Sequence, residues 1–151
     1  MKVPLNRQLI REVMEELIPF NRWLGIQLVQ VDPGKAELVI PFKEAFIGDP
    51  RVQRLHGGVI ATLLDVTGGA AAMTTLTSRQ DQIATVDLRV DYLRPARPQE
   101  VYARAEVVYN GDRIVFTHTV AFQEPEETLI AEARGVYHVV RLKKNGQKNK
   151  G

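Results

Sequence analysis

The stretch from Leu55 to Leu76 (LHGGVIATLLDVTGGAAAMTTL) restricts the possible folds of this chain more than any other. Over residues 59–76 it has no continuous polar stripe, and a helix that is apolar all round is usually buried on most sides. Such a helix, roughly 18 residues long, would span about 27 Å, enough to cross a small domain. It is a poor membrane span because it is short, rich in Thr and Gly, and carries Asp65 near its middle. We therefore predict a central helix that the rest of the chain surrounds.

A carboxylate inside an apolar helix needs either a partner or a chemical function. A buried ionised carboxylate is costly unless it is paired or hydrogen-bonded, and otherwise its pKa rises. Asp65 is therefore either a structural group, bonded to backbone donors or to an arginine across an interface, or a general base or nucleophile in a dry cleft.

Gly57 and Gly58 lie at the predicted start of the helix, directly after His56. The first amides of a helix have no internal partners and carry the positive end of its dipole. Because glycines allow close approach to these amides, the site can bind a carbonyl oxygen and stabilise the oxyanion formed when the carbonyl is attacked. A tight entry turn would explain the same glycines without chemistry, and a capping or packing role would explain His56.

The spacing of these residues predicts an oligomer. Gly57 and Asp65 are eight residues apart, which is about 12 Å along a helix axis. One carbonyl group therefore cannot touch the Gly57 amide and the Asp65 carboxylate of the same helix. If both are catalytic, two antiparallel helices across a two-fold axis would supply them, giving a symmetric dimer with two shared sites.

The composition narrows the class of protein. A chain of 151 residues, 44% hydrophobic and 25% charged, fits one soluble globular domain. The formal net charge is +2, with much of the positive excess between Arg141 and Lys150, so a nucleic-acid-binding domain is disfavoured. There is no cysteine, which excludes disulfides, thiol nucleophiles and cysteine metal sites. The N-terminus is charged and lacks an apolar signal core, so we expect a cytoplasmic protein.

The remaining sequence predicts one helix and a sheet. Before the central helix we expect an amphipathic helix that packs over a sheet edge, a connector, a hairpin about Asp32-Pro33-Gly34, and a loop that shapes one wall of a cleft. Four strands joined by short turns follow it, and His118 and His138 are expected to be ordinary strand residues. The amphipathic helix is expected at Asn6–Ile18, the connector at Phe20–Gly25, the hairpin at Ile26–Val31 with Lys35–Pro41 and the loop at Lys43–Arg54. The four strands are expected at Gln82–Leu93, Glu100–Asn110, Arg113–Gln123 and Thr128–Arg141.

The order of elements predicts an α+β fold, with an antiparallel sheet of about six strands curled around one helix. In the strand 82–93, Val86 should share the packed face with Leu88, Val90 and Tyr92, while Thr85 lies on the opposite face. Residues 1–141 are expected to form the single domain, and residues 142–151 a basic, disordered tail.

Two motifs together resemble a known family. The segment LHGGVIATLLDVTGGAAA, followed by ATVDLRVDYLRPA, resembles the hotdog-fold thioesterases of the phenylacetate-degradation (PaaI-like) type, over roughly Trp23 to Val140. The resemblance implies a hotdog fold and hydrolysis of acyl-CoA thioesters without a metal or other cofactor. It also implies a homodimer, often a dimer of dimers, with the site shared between subunits, and no nucleic-acid or membrane partner.

The resemblance also implies roles for individual residues. Gly57 would supply the oxyanion amide, with Gly58 beside it, and His56 would help to hold the thioester. Asp65 of the partner subunit would be the base or nucleophile, assisted by the hydroxyl of Thr85. Thr85 can reach the helix only if its strand twists or bulges.

The substrate contacts are the least specific part of the resemblance. Relatives often place Asn or Gln in the loop before HGG, where this chain has Asp49 and Gln53, and we favour Gln53. The acyl chain would lie between subunits near Val59, Ile60 and Leu63. The CoA phosphates would lie at the rim, near surface arginines, namely Arg89, Arg94 or Arg97.

Two other functions fit the same residues. A hotdog enzyme that hydrates or dehydrates acyl thioesters also pairs a histidine with a carboxylate, and an enoyl-thioester hydration assay would identify it. A non-catalytic binder of acyl-CoA or of another apolar ligand would keep its function after Asp65→Ala, whereas a catalyst would lose orders of magnitude in rate.

Overall fold

The computed structural model describes residues 6–142. Of the predicted basic tail, all but Leu142 lies outside this range. The Leu142 amide donates a hydrogen bond to the Asp81 carboxylate (3.0 Å), which fixes the end of the last strand beside the turn that follows the central helix.

The predicted central helix is present as α3, Gly57–Met73. Its buried side chains include Leu63 and Leu64, both fully enclosed. It packs across the inner faces of the main sheet, as its apolar composition predicted. Within residues 6–142, no helix is both long and apolar enough to cross a bilayer.

Six strands form one antiparallel sheet. They are β1 Gln27–Asp32, β2 Lys35–Ile40, β5 Gln82–Tyr92, β6 Val101–Asn110, β7 Ile114–Gln123 and β8 Thr128–Val140. Their order in the sheet is β1-β2-β6-β7-β8-β5, so that β5 lies at one edge, directly beside β8. The prediction of an α+β fold with a sheet of about six strands around one helix is confirmed.

The N-terminal segment is more helical than predicted. Helix α1 (Arg7–Glu12) continues as a π-helical turn, Val13–Leu17, and a second helix, α2, spans Pro19–Leu24. The predicted connector at Phe20–Gly25 is therefore wrong, because Pro19 starts a helix as well as ending one, its fixed φ suiting the first helical position. The expected packing on a sheet edge is present, since the Glu15 carboxylate accepts from the Leu28 amide (2.8 Å).

The predicted loop at Lys43–Arg54 also contains regular structure. A 3₁₀ turn, Glu44–Phe46, precedes two short paired strands, β3 (Ile47–Asp49) and β4 (Arg54–Leu55). The Phe46 carbonyl accepts from the His56 amide (2.8 Å). Gly48 packs so closely on His56 that a Cβ there would lie 2.8 Å from its Cα. This small sheet therefore fixes the residue from which α3 begins.

Candidate active site

Two hydroxyl groups hold the carboxylate of Asp65. The Thr85 hydroxyl donates to Oδ1 (2.9 Å). The Tyr137 hydroxyl lies 2.7 Å from the Asp65 main-chain carbonyl oxygen and 3.2 Å from Oδ1. Asp65 is half-buried, and the hydrogen bonds from these hydroxyls compensate for the partial loss of water around its charge. Among the described residues, both side-chain contacts fall on Oδ1, so Oδ2 is the oxygen open to the cleft.

A one-residue bulge brings Thr85 to the helix. The pairing of β5 with β8 shifts register between Thr85 and Asp87. This is the bulge that the sequence analysis required for Thr85 to reach the helix. The same bulge makes the prediction for Val86 wrong. Val86 is 61% exposed, whereas Leu88 is packed against the core, because an extra residue reverses which side chains face inward.

Tyr137 is the site residue that the sequence analysis missed. It lies on β8 and is only 2% exposed. Burial, and then the negative charge of Asp65, raises the pKa of its hydroxyl, so the group stays protonated and remains a donor. A sequence signal existed in the glycines, since a side chain at Gly68 would collide with the Tyr137 hydroxyl. That signal becomes readable only once β8 is known to lie against α3.

Asp65 opens into a small, mainly apolar cleft of about 130 Å³. The N-terminal segment supplies one wall of it, a role that the sequence analysis did not assign to that segment. Helix α3 and strand β5 supply most of the rest. The side chains around the cleft are those of Met14, Ile18, Asn21, Asp65, Val66, Met73, Ile83, Ala84, Thr85 and Tyr137, with Gly69 completing the lining.

The start of α3 carries a second set of groups. His56 Nδ1 accepts from the Gly58 amide (2.8 Å), so the capping interpretation of His56 is confirmed. The Gly57 carbonyl accepts from the Tyr92 hydroxyl (2.7 Å). As the first residue of the helix, Gly57 has no helical carbonyl one turn earlier to accept from its amide. Because the Gly58 amide is used by His56, the Gly57 amide is the better placed donor for a substrate oxygen.

The two sets of groups are separate within one chain. The cleft beside Asp65 includes Thr85, but neither His56 nor Gly57 is part of its lining. Eight residues separate Gly57 from Asp65 along the same helix, a distance of about 12 Å. One chain therefore presents the two sets of groups at different heights along α3.

The other predicted contact residues are engaged locally. Gln53 has a positive φ of 52° and donates to the Pro50 carbonyl (2.9 Å). Asp49 pairs with Arg51 (3.0 Å), and that side-chain hydrogen bond lowers the pKa of Asp49. Neither recorded contact reaches Asp65, and the substrate role of Gln53 stays a prediction.

The arginines predicted at the rim are exposed and lie after or along β5. Arg89 pairs with Asp91 (3.3 Å), and Arg94 donates to the Leu129 carbonyl (3.1 Å). Arg97 donates to the Glu124 carbonyl (3.4 Å). Val59 is half-buried near the helix start. The contacts of these arginines and of Val59 with substrate also stay predictions.

No group of three or more His, Asp or Glu side chains within residues 6–142 has the geometry of a metal site. His118 contacts Glu132 (3.2 Å) across neighbouring strands, as an ordinary strand residue would.

Known proteins are similar to this chain in sequence and in fold. Residues 53–130 match the model of the thioesterase superfamily. The chain is 31% identical over 144 residues to the medium/long-chain acyl-CoA thioesterase YigI of Escherichia coli K12, covering 87% of this chain and 92% of YigI. It is 30% identical over 137 residues to human acyl-coenzyme A thioesterase 13, covering 87% and 95% of the two chains.

A solved structure from Shewanella oneidensis, described as related to the thioesterase superfamily, matches this chain with a TM-score of 0.78 at 34% identity. The match covers 87% of this chain and 93% of that one. The family resemblance carried by the HGG-x6-D element and the VDLRVDYLRP strand is therefore confirmed, as is the hotdog fold. The chain belongs to the thioesterase superfamily and is a thioester hydrolase.

Proposed function

We propose that this protein hydrolyses acyl-CoA thioesters at sites shared between two subunits. Asp65 is the base or nucleophile, and the Gly57 amide of the partner subunit is the oxyanion donor. The observation that carries the proposal is the Asp65 carboxylate, held by two hydroxyls beside an apolar cleft. The names of its relatives, medium/long-chain acyl-CoA thioesterase and acyl-coenzyme A thioesterase, support the choice of substrate.

The chemistry follows from which oxygen of Asp65 is open. Oδ1 is occupied by Thr85 and Tyr137, so Oδ2 either takes a proton from water or attacks the thioester carbonyl carbon. In the first case hydroxide adds to that carbon, and in the second an anhydride forms, the thiolate leaves, and water hydrolyses the anhydride. Both routes release a carboxylic acid and the thiol of CoA. In both, a helix amide stabilises the carbonyl oxygen as its negative charge develops.

The surface around Asp65 supports a shared site. The partly open positions of α3 include Gly58, Thr62, Asp65 and Gly69, which are spaced by four, three and four residues and so lie on one face of the helix. Strand β5 beside them is an edge strand of 11 residues, and a long unprotected edge is a template for pairing with another chain. Pairing two β5 strands about a two-fold axis would bring two such helix faces together.

We expect Val86→Lys to weaken assembly and activity together. Val86 is 61% exposed on the edge strand, and an edge lysine opposes strand pairing. Val108→Lys is the matched control, since Val108 is 60% exposed but lies on the interior strand β6. Light scattering after gel filtration should show that Val86→Lys is a monomer and that the control is at least a dimer. The thiol-release assay should show little activity for Val86→Lys and full activity for the control. A dimeric, fully active Val86→Lys would contradict pairing through β5.

We expect Thr85→Val to lower kcat about tenfold to 100-fold, because a hydrogen bond to a charged group contributes about 1.5–3 kcal/mol. Thr85→Ser restores the hydroxyl and should recover most of the rate. Thiol release measured for the three proteins checks this. If valine supports the wild-type rate, the Thr85–Asp65 bond has no part in the reaction.

The direct test of the proposed function is thiol release from short, medium, long and aromatic acyl-CoAs. We expect turnover, with the highest kcat/KM for the medium or long aliphatic chains named for the bacterial relative. An absence of turnover on every acyl-CoA, with turnover of other acyl thioesters, would overturn the choice of CoA. Acyl-chain preference itself depends on a few side chains in the cleft.

A further inference from the structure

We infer that Tyr137 is a positioning residue for Asp65. Its hydroxyl fixes the orientation of the carboxylate and of the helix turn that carries it. This inference rests on the proposed role of Asp65. Tyr137 lies on β8, 72 positions away from Asp65 in sequence, and would act by positioning the carboxylate that α3 carries.

The Tyr137 hydroxyl contacts both the backbone and the side chain of the same residue. It lies 2.7 Å from the Asp65 carbonyl oxygen and 3.2 Å from Oδ1. In a regular helix the amide of residue 69 donates to the carbonyl of residue 65. The tyrosine hydroxyl therefore contacts the carbonyl that accepts this helical hydrogen bond and the carboxylate of the same residue.

Two glycines on different elements make room for this ring. A Cβ on Gly68 of α3 would collide with the Tyr137 hydroxyl and lie 2.8 Å from Thr117 Oγ1. A Cβ on Gly135 of β8 would lie 2.7 Å from Tyr137 Cε2 and 2.9 Å from the same Thr117 oxygen. A side chain at either position would require the Tyr137 ring or Thr117 to shift, so both glycines leave space for the ring to reach the helix.

The Tyr137 hydroxyl remains a hydrogen-bond donor in this cleft. Among the described residues that line the cleft, Tyr137 is the only titratable group besides Asp65. Burial and the nearby carboxylate raise the pKa of Tyr137 itself, which keeps its proton available to Asp65.

Tyr137→Phe tests the inference because it deletes only the hydroxyl. We expect kcat to fall about tenfold to 100-fold with KM changed less than about threefold, since the loss affects the orientation of Asp65 rather than substrate affinity. Asp65→Asn is measured in parallel on the same acyl-CoA.

Val139→Ala is the matched control for a merely structural role. Val139 is buried on the same face of β8 as Tyr137, at 1% exposure, so truncating it weakens the core without touching Asp65. It should lower the midpoint of urea unfolding but keep the wild-type kcat. Tyr137→Phe with an unchanged kcat, beside an inactive Asp65→Asn, would overturn the inference and leave the proposed function standing. Full activity of Asp65→Asn would instead overturn the proposed function.

A second variant retains the hydroxyl in case the phenylalanine protein does not fold. Replacing Tyr137 by 3-fluorotyrosine keeps the hydroxyl as a donor to Asp65. This protein should therefore keep kcat within about threefold of the wild-type value. A folded fluorinated protein whose kcat falls tenfold or more would contradict the inference.

Discussion

Asp65→Asn is expected to reduce kcat for acyl-CoA hydrolysis by roughly 10²–10⁴-fold, the range that a positioned general base contributes. Asparagine has the same shape and can still accept the Thr85 hydrogen bond that Oδ1 accepts (2.9 Å). It has no carboxylate to remove a proton from water or to attack a carbonyl. KM should change little, because the apolar walls of the cleft are untouched.

The control for this loss is Asp87→Asn, the same substitution two residues after Thr85. Asp87 is exposed and lies on the other side of the β5 bulge, outside the lining of the cleft. It should retain the wild-type rate. If Asp65→Asn retains it as well, Asp65 takes no part in the chemistry, and the spacing argument for a shared site is lost.

Gly57→Pro should lower kcat by roughly 10²–10³-fold, the usual effect of deleting one oxyanion donor. Proline lacks the amide proton but is well accepted at the first position of a helix. The preceding residue is already compatible, since His56 has φ −66° and ψ 131°, within the extended region that a following proline requires.

Gly57→Ala separates the amide from the glycine itself. Alanine keeps the N–H, and its Cβ would lie 3.2 Å from the Tyr92 hydroxyl, a close contact that the exposed tyrosine can relieve. We expect a small loss of rate for alanine and a large loss for proline, with unchanged circular dichroism for both. Comparable activity of the two variants would exclude the Gly57 amide as the oxyanion donor.

Local sequence patterns were sufficient to predict most of the fold. The apolar run that became α3 and the turn residues that separate β6, β7 and β8 are local signals of helix period and chain reversal. The bulge at Thr85 was predictable only on the condition that Thr85 assists Asp65. The alternation of side chains along the strand places the Thr85 hydroxyl on the face away from the helix. A role beside Asp65 therefore requires a bulge that reverses this alternation.

The parts that were not predicted depend on contacts between distant segments. Tyr137 alternates normally along β8, and nothing near it in sequence indicates that its hydroxyl ends beneath Asp65. Met14 and Ile18 have the pattern of an ordinary amphipathic helix, so their position in the wall of the cleft follows from how that segment docks. Pro19 was interpreted only as the end of the first helix, although proline is also well accepted at the start of a helix.

The site shared between subunits is tested most directly by a mixed dimer. Asp65→Asn and Gly57→Pro chains carrying different affinity tags are expressed together, and the dimers that contain both are isolated by two successive affinity steps. In such a dimer one site would combine an intact Gly57 with an intact Asp65 of the partner subunit, while the other site would contain both defects.

We predict that the mixed dimer hydrolyses acyl-CoA at about half of the wild-type rate per dimer, although each parent is nearly inactive. This recovery requires Gly57 and Asp65 to act from different chains. A mixed dimer as inactive as its two parents would contradict the account, because a site built within one chain would then carry a defect in every copy.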